Sequence, residues 1–162
     1  MITETNIVQA TATDWPWINA HSEVVGGPNV VSQGVRYTLT DYPALLAISG
    51  SDNVGFVVYR ADGPEWEVLA IVATRQWEGI GSKLISTVET LAAAANAKSI
   101  FLVTTNDNLP ALQFYQRRGY ELDRLVPNGF EAVRRLKNLG DEEILGHADI
   151  PIRDELRLSK AL

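Results

Sequence analysis

Two glycines one residue apart, Gly79 and Gly81, stand in the string Gln76-Trp77-Glu78-Gly79-Ile80-Gly81, directly before a helical pattern. The first N–H groups of a helix have no partner within it and carry partial positive charge. They can bind phosphate oxygens directly. Glycine lets that backbone approach a ligand that a side chain would hold away. A strand, a glycine turn and a helix therefore make a phosphate cradle for a bulky cofactor. Two well-known versions do not fit. A dinucleotide fingerprint needs a third glycine where Leu84 stands. A nucleoside-triphosphate loop needs glycine at the Gln76 position and then Gly-Lys-Ser/Thr, whereas the chain reads Gly81-Ser82-Lys83. A tight turn with no ligand uses the same glycines, so this string alone leaves both readings open.

A second constellation follows, Asn108-Leu109-Pro110-Ala111-Leu112-Gln113-Phe114-Tyr115, with Gly119-Tyr120 after it. Asn108 is a good helix N-cap, Pro110 fits a first turn, and Gly119 supplies a left-handed stop. Tyr115 falls at core spacing on this helix. Lys83, Arg75 and Arg117 can reach phosphates but read first as solvated surface cations. His21 and His147 lack metal-ligand spacing, so no metal is expected. The chain has no cysteine. That excludes disulfides, thiolate metal sites and cysteine nucleophiles, and suits a reducing, cytoplasmic setting.

The elements that must position these residues can be read from periodicity and turn chemistry. Asn6–Ala10 is a short first strand. Thr13 or Asp14 caps a helix with Pro16 in its first turn, and Gly26-Gly27-Pro28 ends that region. Three strands follow, about 44–49, 54–60 and 65–73. Ser51-Asp52-Asn53 and Ala61-Asp62-Gly63-Pro64 separate them, so the connections are tight and the strands antiparallel. Ile80, Leu84, Ile85, Val88, Leu91, Ala92 and Ala95 then repeat at helical spacing, giving a helix over about 81–97. Ile100-Phe101-Leu102-Val103 reads as a buried strand. Strand, helix and strand make a β-α-β crossover. A helix from Asn108, a strand over 120–125 and a helix over 131–138 come next. Over 151–159, Ile152, Leu156 and Leu158 alternate with Arg153, Glu155 and Arg157, which predicts a last strand with one wet face. The class is α/β (α+β), a mixed and mostly antiparallel sheet with helices on both faces.

Composition bounds the rest. The chain has 162 residues, 46% hydrophobic and 21% charged, as in an ordinary globular protein. One domain, 1–162, is expected. No apolar run has the length of a membrane span, and the start Met1-Ile2-Thr3-Glu4-Thr5 lacks the marks of a secretory signal. With net charge −6, no nucleic-acid partner is expected. The basic run Arg134-Arg135-Lys137 is short and precedes Asp141-Glu142-Glu143.

At this point the chain resembles the GNAT superfamily of N-acetyltransferases. The family's cofactor signature, Gln/Arg-x-x-Gly-x-Gly/Ala, is matched by Gln76, Gly79 and Gly81. Its later signature, Asn-x-x-Ala-x-x-Phe-Tyr-x-x-x-Gly-Phe/Tyr, is matched by Asn108, Ala111, Phe114, Tyr115, Gly119 and Tyr120. The order of elements is similar over nearly the whole chain. Thr104-Thr105-Asn106-Asp107-Asn108 and Ile150-Pro151-Ile152-Arg153-Asp154-Glu155 look like segments of a bacterial subgroup. One departure stands out: the residues between Gln76 and Gly79 are often basic or small, whereas here they are Trp77 and Glu78. A carboxylate aimed at a pyrophosphate is unfavourable, so Glu78 is expected to face solvent.

The resemblance implies acetyl-CoA as donor and a primary amine of a small molecule or peptide as acceptor. It places the cofactor on Val72, Ala73, Gln76, Trp77, Glu78, Gly79, Ile80, Gly81, Ser82, Asn108, Ala111 and Tyr115. It implies Tyr115 as proton donor to the departing thiolate. Glu67 is implied as base for the amine, with Asp107 a weaker candidate; a solvent-facing position or pairing with Arg60 are the rival roles of Glu67. A backbone N–H near Val72 or Ala73 would steady the thioester oxygen. Without cysteine, direct attack in a ternary complex is expected. The acceptor pocket of the family is usually shaped by the first helix and the loop after it, about 14–33, where Gly26-Gly27-Pro28 would allow a mobile lid. Trp15, Trp17 and Trp66 belong either to that pocket or to the core. The acidic balance suits a cationic acceptor, and a homodimer through a sheet edge or the last strand is the expected self-association. The alternative is a non-catalytic acyl-CoA-binding module of the same fold.

Overall fold

A computed structural model describes residues 3–162. The elements run β1 (Thr5–Gln9), α1 (Trp15–His21), β2 (Asn29–Ser32), β3 (Val35–Thr38), β4 (Ala44–Ser49), β5 (Asp52–Arg60) and β6 (Glu65–Ala73). They continue with α2 (Ile80–Ala94), β7 (Ser99–Thr105), α3 (Leu109–Gln116), β8 (Glu121–Val126), α4 (Phe130–Lys137) and β9 (Glu155–Ala161). The architecture is mixed α/β, with a mostly antiparallel central sheet flanked by helices. No helix among the described residues is long and apolar enough to cross a membrane. The chain divides into two compact units. One holds the described residues up to Val30, Tyr37–Ile100 and Leu162; the other holds Val31–Arg36 and Phe101–Ala161.

In the first unit β1, β4, β5 and β6 form an antiparallel meander, with Thr5 facing Ser49, Ala44 facing Val58, and Arg60 facing Glu67. Two bulges interrupt it. Val54 is an extra residue in β5 opposite β4, and Leu69 is one in β6 opposite β5. A bulge bends its strand and re-aims the side chains beside it. One face of the meander carries a core of Ile18, Leu39, Leu46, Phe56, Val58 and Val72. Helix α2 buries Ile80, Leu84, Ile85, Val88 and Ala92 of the stripe expected from helical spacing, whereas Leu91 and Ala95 are exposed.

In the second unit β9 lies between β7 and β8, and β8 runs antiparallel to β9 with Leu122 facing Leu158. The last strand thus has a neighbour on each side, and β8 rather than β9 is an edge strand.

Two expectations need correction. Sequence periodicity showed no strands between Pro28 and Ala44, yet β2 and β3 form a hairpin there. Its turn residues Gln33 (φ 50°) and Gly34 (φ 79°) are both left-handed, as the favoured two-residue hairpin turn requires. Glutamine is not a usual residue at the first of those positions, so the signal was weak. The last strand also begins four residues later than its alternation suggests. Residues 151–154 are irregular because Asn106 takes up their backbone groups: its Oδ1 accepts the Arg153 and Asp154 N–H groups (2.9 and 3.0 Å), and its Nδ2 donates to the Pro151 carbonyl (3.0 Å). Glu155, expected on a wet face, is buried.

Candidate functional site

The cradle is built by pinning a strand end and opening a helix start. After β6, Thr74 donates its N–H (2.9 Å) and its hydroxyl (3.1 Å) to the Val54 carbonyl. Arg75 pairs with Asp52 at 2.8 Å. Gln76, Trp77, Glu78 and Gly79 are exposed, with Trp77 (φ 67°) and Gly79 (φ 72°) left-handed. Gly79 is the N-cap of α2, and a Cβ there would meet nothing within 4 Å. The Lys83 N–H reaches the Gly79 carbonyl at 3.0 Å, so the N–H groups of Ile80, Gly81 and Ser82 precede the helical ladder. Open space in front of a helix start is what a phosphate needs. The residues present therefore fit the pyrophosphate of a CoA-type ligand. Glu78 lies at the surface, as expected. Lys83 donates to the Thr5 carbonyl (3.1 Å).

One residue behind the cradle escaped the sequence reading. Gly55 on β5 faces Ala73 across the strands, one place from the Phe56–Val72 pair. A Cβ on Gly55 would lie 2.7 Å from the Val72 carbonyl oxygen and 2.8 Å from Ile80 Cγ2. The first residue of α2 thus rests on the bare backbone of β5. The available sign was a lone glycine inside an apolar strand, which marks close approach of another element.

The later motif is first of all an architectural joint. Asn108 caps α3 by accepting the Ala111 N–H at 3.3 Å, and its Nδ2 donates to Thr104 Oγ1 at 2.9 Å. Replacing Asn108 with Ala should cost about 1 kcal/mol, the usual loss for an N-cap, read as a lower urea midpoint at unchanged slope. Tyr115 is buried, with its ring edge-to-face against Phe114 (5.0 Å) and Tyr120 (5.3 Å). Burial pushes its phenol far above the ordinary tyrosine range, while the Arg118 charge pulls the other way. Arg118, also missed in the sequence, is fixed by its bond to the Phe114 carbonyl (2.7 Å) and lies 3.6 Å over the Phe114 ring. Arg117 is exposed.

The two candidate carboxylates differ. Glu67 is buried on β6, and its Oε1 pairs with Arg60 Nη2 at 3.2 Å. Arg60 also pairs with Asp62 (3.4 Å) and lies over the Tyr37 ring at 5.4 Å. Asp107 is an anchor. Its Oδ1 accepts the Thr105 hydroxyl (2.5 Å) and its Oδ2 the His147 N–H (3.1 Å). It packs so closely on Gly146 that any Cβ there would collide with it. His21 stacks on Trp17 at 4.1 Å and bonds the Trp17 carbonyl. No group of three or more metal-ligating side chains occurs among the described residues. Trp15 and Trp17 pack on the core, and Trp66 is buried against Tyr59.

Comparison with known proteins gives the family. Residues 16–120 match the model of the Acetyltransferase (GNAT) family, and the chain belongs to that family. Over 138 residues it is 41% identical to the uncharacterized protein YxbD of Bacillus subtilis, covering 85% of this chain and 86% of that one. An acetyltransferase from B. subtilis, solved with CoA, has the same fold at TM-score 0.74 and 20% identity, covering 98% and 99% of the two chains. A GNAT acetyltransferase from Elizabethkingia anophelis, solved with acetyl-CoA, gives TM-score 0.73 at 23% identity, with 98% of each chain covered.

Proposed function

We propose that the chain, 1–162, is one acetyl-CoA-dependent N-acetyltransferase domain that acts on a primary amine by direct attack. The observation that carries this reading is the open, glycine-capped start of α2. The absence of cysteine fits it twice, in excluding an acyl-cysteine route and in suiting a cytoplasmic setting. Bound acetyl-CoA would supply an activated acetyl group on a thiolate leaving group. The backbone of Gln76 to Ser82, with Trp77 and Glu78 turned to solvent, would hold its phosphates. Backbone N–H groups at Val72 or Ala73 would face the thioester oxygen, while Asn108 and Ala111 would set the start of α3. Tyr115 keeps its proton at neutral pH because burial disfavours the phenolate. It can therefore donate a hydrogen bond to a developing thiolate, and Arg118 favours the charge that full transfer would leave behind. Glu67 serves as base, acting from its pair with Arg60 through water. CoA at a hundred times its Kd should stabilise the chain by about 2.7 kcal/mol, a rise in melting temperature of about 5–10 °C. Acetyl-CoA with a panel of primary amines should release free thiol only when amine is present. Melting unchanged by CoA would sink the reading, and CoA binding without thiol release would leave the binding module. Glu67→Gln should lower kcat at least tenfold with CoA affinity unchanged. Equal loss in Arg60→Met, whose carboxylate remains, would assign the effect to the broken ion pair instead.

A further inference from the structure

An open cavity of about 360 Å³ lies within the second unit, walled by Gln33, Arg124, Val126, Gly129, Ala132 and Glu155 among others. Its size is that of a small-molecule pocket. It carries one side chain of each sign, and both are bonded to a single residue, Gln33. The Gln33 N–H donates to Glu155 Oε2 at 3.2 Å. The Gln33 Oε1 accepts from Arg124 Nη1 at 3.0 Å. One neutral residue thus presents a donor to the carboxylate and an acceptor to the guanidinium. A short amino acid presents the same two ends as an ammonium and a carboxylate. The spacing is matched as well: the bonds from the Gln33 nitrogen to Oε1 are as many as those from nitrogen to carboxylate oxygen in γ-aminobutyrate. Replacing neutral partners by charged ones strengthens both hydrogen bonds. Open space surrounds the hairpin tip at Gly34, where a Cβ would meet nothing within 4 Å.

The cavity also lies at the end of the unit that bears the family motif. Asn106 ties the C-terminal end of β7 to Arg153 and Asp154, next to Glu155. Asn108, two residues on, ties the same end of β7 to α3. We propose that this cavity binds a short zwitterionic amino acid, its ammonium on Glu155 and its carboxylate on Arg124, in place of the Gln33 contacts. The proposal goes beyond the acetyltransferase reading above: it assigns a ligand to this cavity and takes no part in the transfer step.

Calorimetric titration of the full chain, with and without CoA, tests it using γ-aminobutyrate, n-butylamine and butyrate. γ-Aminobutyrate should bind at least tenfold more tightly than either single-charge control. Arg124→Met and Glu155→Gln should each weaken it at least tenfold, with CoA affinity unchanged. Gln33→Ala keeps the backbone N–H on Glu155 and removes only the Oε1 that competes for Arg124, so it should tighten γ-aminobutyrate and butyrate alike and leave n-butylamine unchanged. Arg124 is exposed, so its variant keeps the fold even where Glu155→Gln, beside Gly129, does not. Equal binding of butylamine or butyrate, no binding of γ-aminobutyrate, or no effect of Arg124→Met would overturn the proposal. A chain that binds CoA and acetylates other amines but ignores γ-aminobutyrate loses this inference alone. One that binds γ-aminobutyrate as described and ignores CoA loses the acetyltransferase reading instead.

Discussion

Replacing Tyr115 with Phe should lower kcat about 100-fold, the low end of what a positioned general acid contributes. The change removes one oxygen and leaves the ring between Phe114 and Tyr120, so packing is kept. CoA affinity, measured by calorimetry, should stay within twofold. kcat and kcat/KM should fall together, since the lost interaction forms only as charge develops on sulfur. The pH behaviour gives an independent check. Folding raises the Tyr115 pKa, so the folded state prefers the neutral phenol. Its contribution to stability is complete below the unfolded value of about 10 and is lost progressively as pH rises above it. Wild type should therefore lose melting temperature relative to Tyr115→Phe only in that alkaline range. An unchanged kcat in the variant would return Tyr115 to the core as a packing aromatic.

The reach of the sequence follows the physics of each element. Helix α2 was legible because its buried residues repeat with the helical period over fifteen residues. The strands from Ala44 to Ala73 were legible because turn-forming residues bracket them. The β2–β3 hairpin was not, since its four-residue strands are too short for a period and its turn begins with glutamine. Glu155 read as a wet residue because alternation counts side chains on one strand. Its carboxylate meets the N–H of Gln33, 122 residues away, and its backbone packs against Gly129. Asp107 illustrates the same limit. Its Oδ2 accepts the backbone N–H of His147, forty residues later, a contact that its residue type does not announce. The phosphate cradle was readable because a helix start is a local object. The surroundings that tune it, Gly55 behind the helix and Arg118 beside Tyr115, come from contacts that no spacing rule encodes.

That contact behind the cradle supports the second large effect. In Gly55→Ala the new Cβ would stand 2.7 Å from the Val72 carbonyl oxygen, 2.8 Å from Ile80 Cγ2 and 3.3 Å from Leu84 Cδ1. The first of these is backbone in a paired strand and cannot rotate away. The others belong to the first two turns of α2, so relief comes by pushing the start of that helix off the sheet. Overpacking of this kind costs about 1–3 kcal/mol, which for a chain of this size is a fall in melting temperature of about 2–12 °C. The displaced groups are the N–H donors of the proposed phosphate site, so CoA affinity should fall about tenfold, or about 1.4 kcal/mol. Gly79→Ala is the contrasting case. Its Cβ meets nothing, but its left-handed φ of 72° costs a side-chain residue about 1–2 kcal/mol. Stability alone therefore does not separate the two variants. The size of the side chain does: Gly55→Val should weaken CoA further than Gly55→Ala, because more volume must be cleared between sheet and helix. Wild-type CoA affinity in a destabilised Gly55→Ala chain would show that β5 supports the fold without setting the cradle.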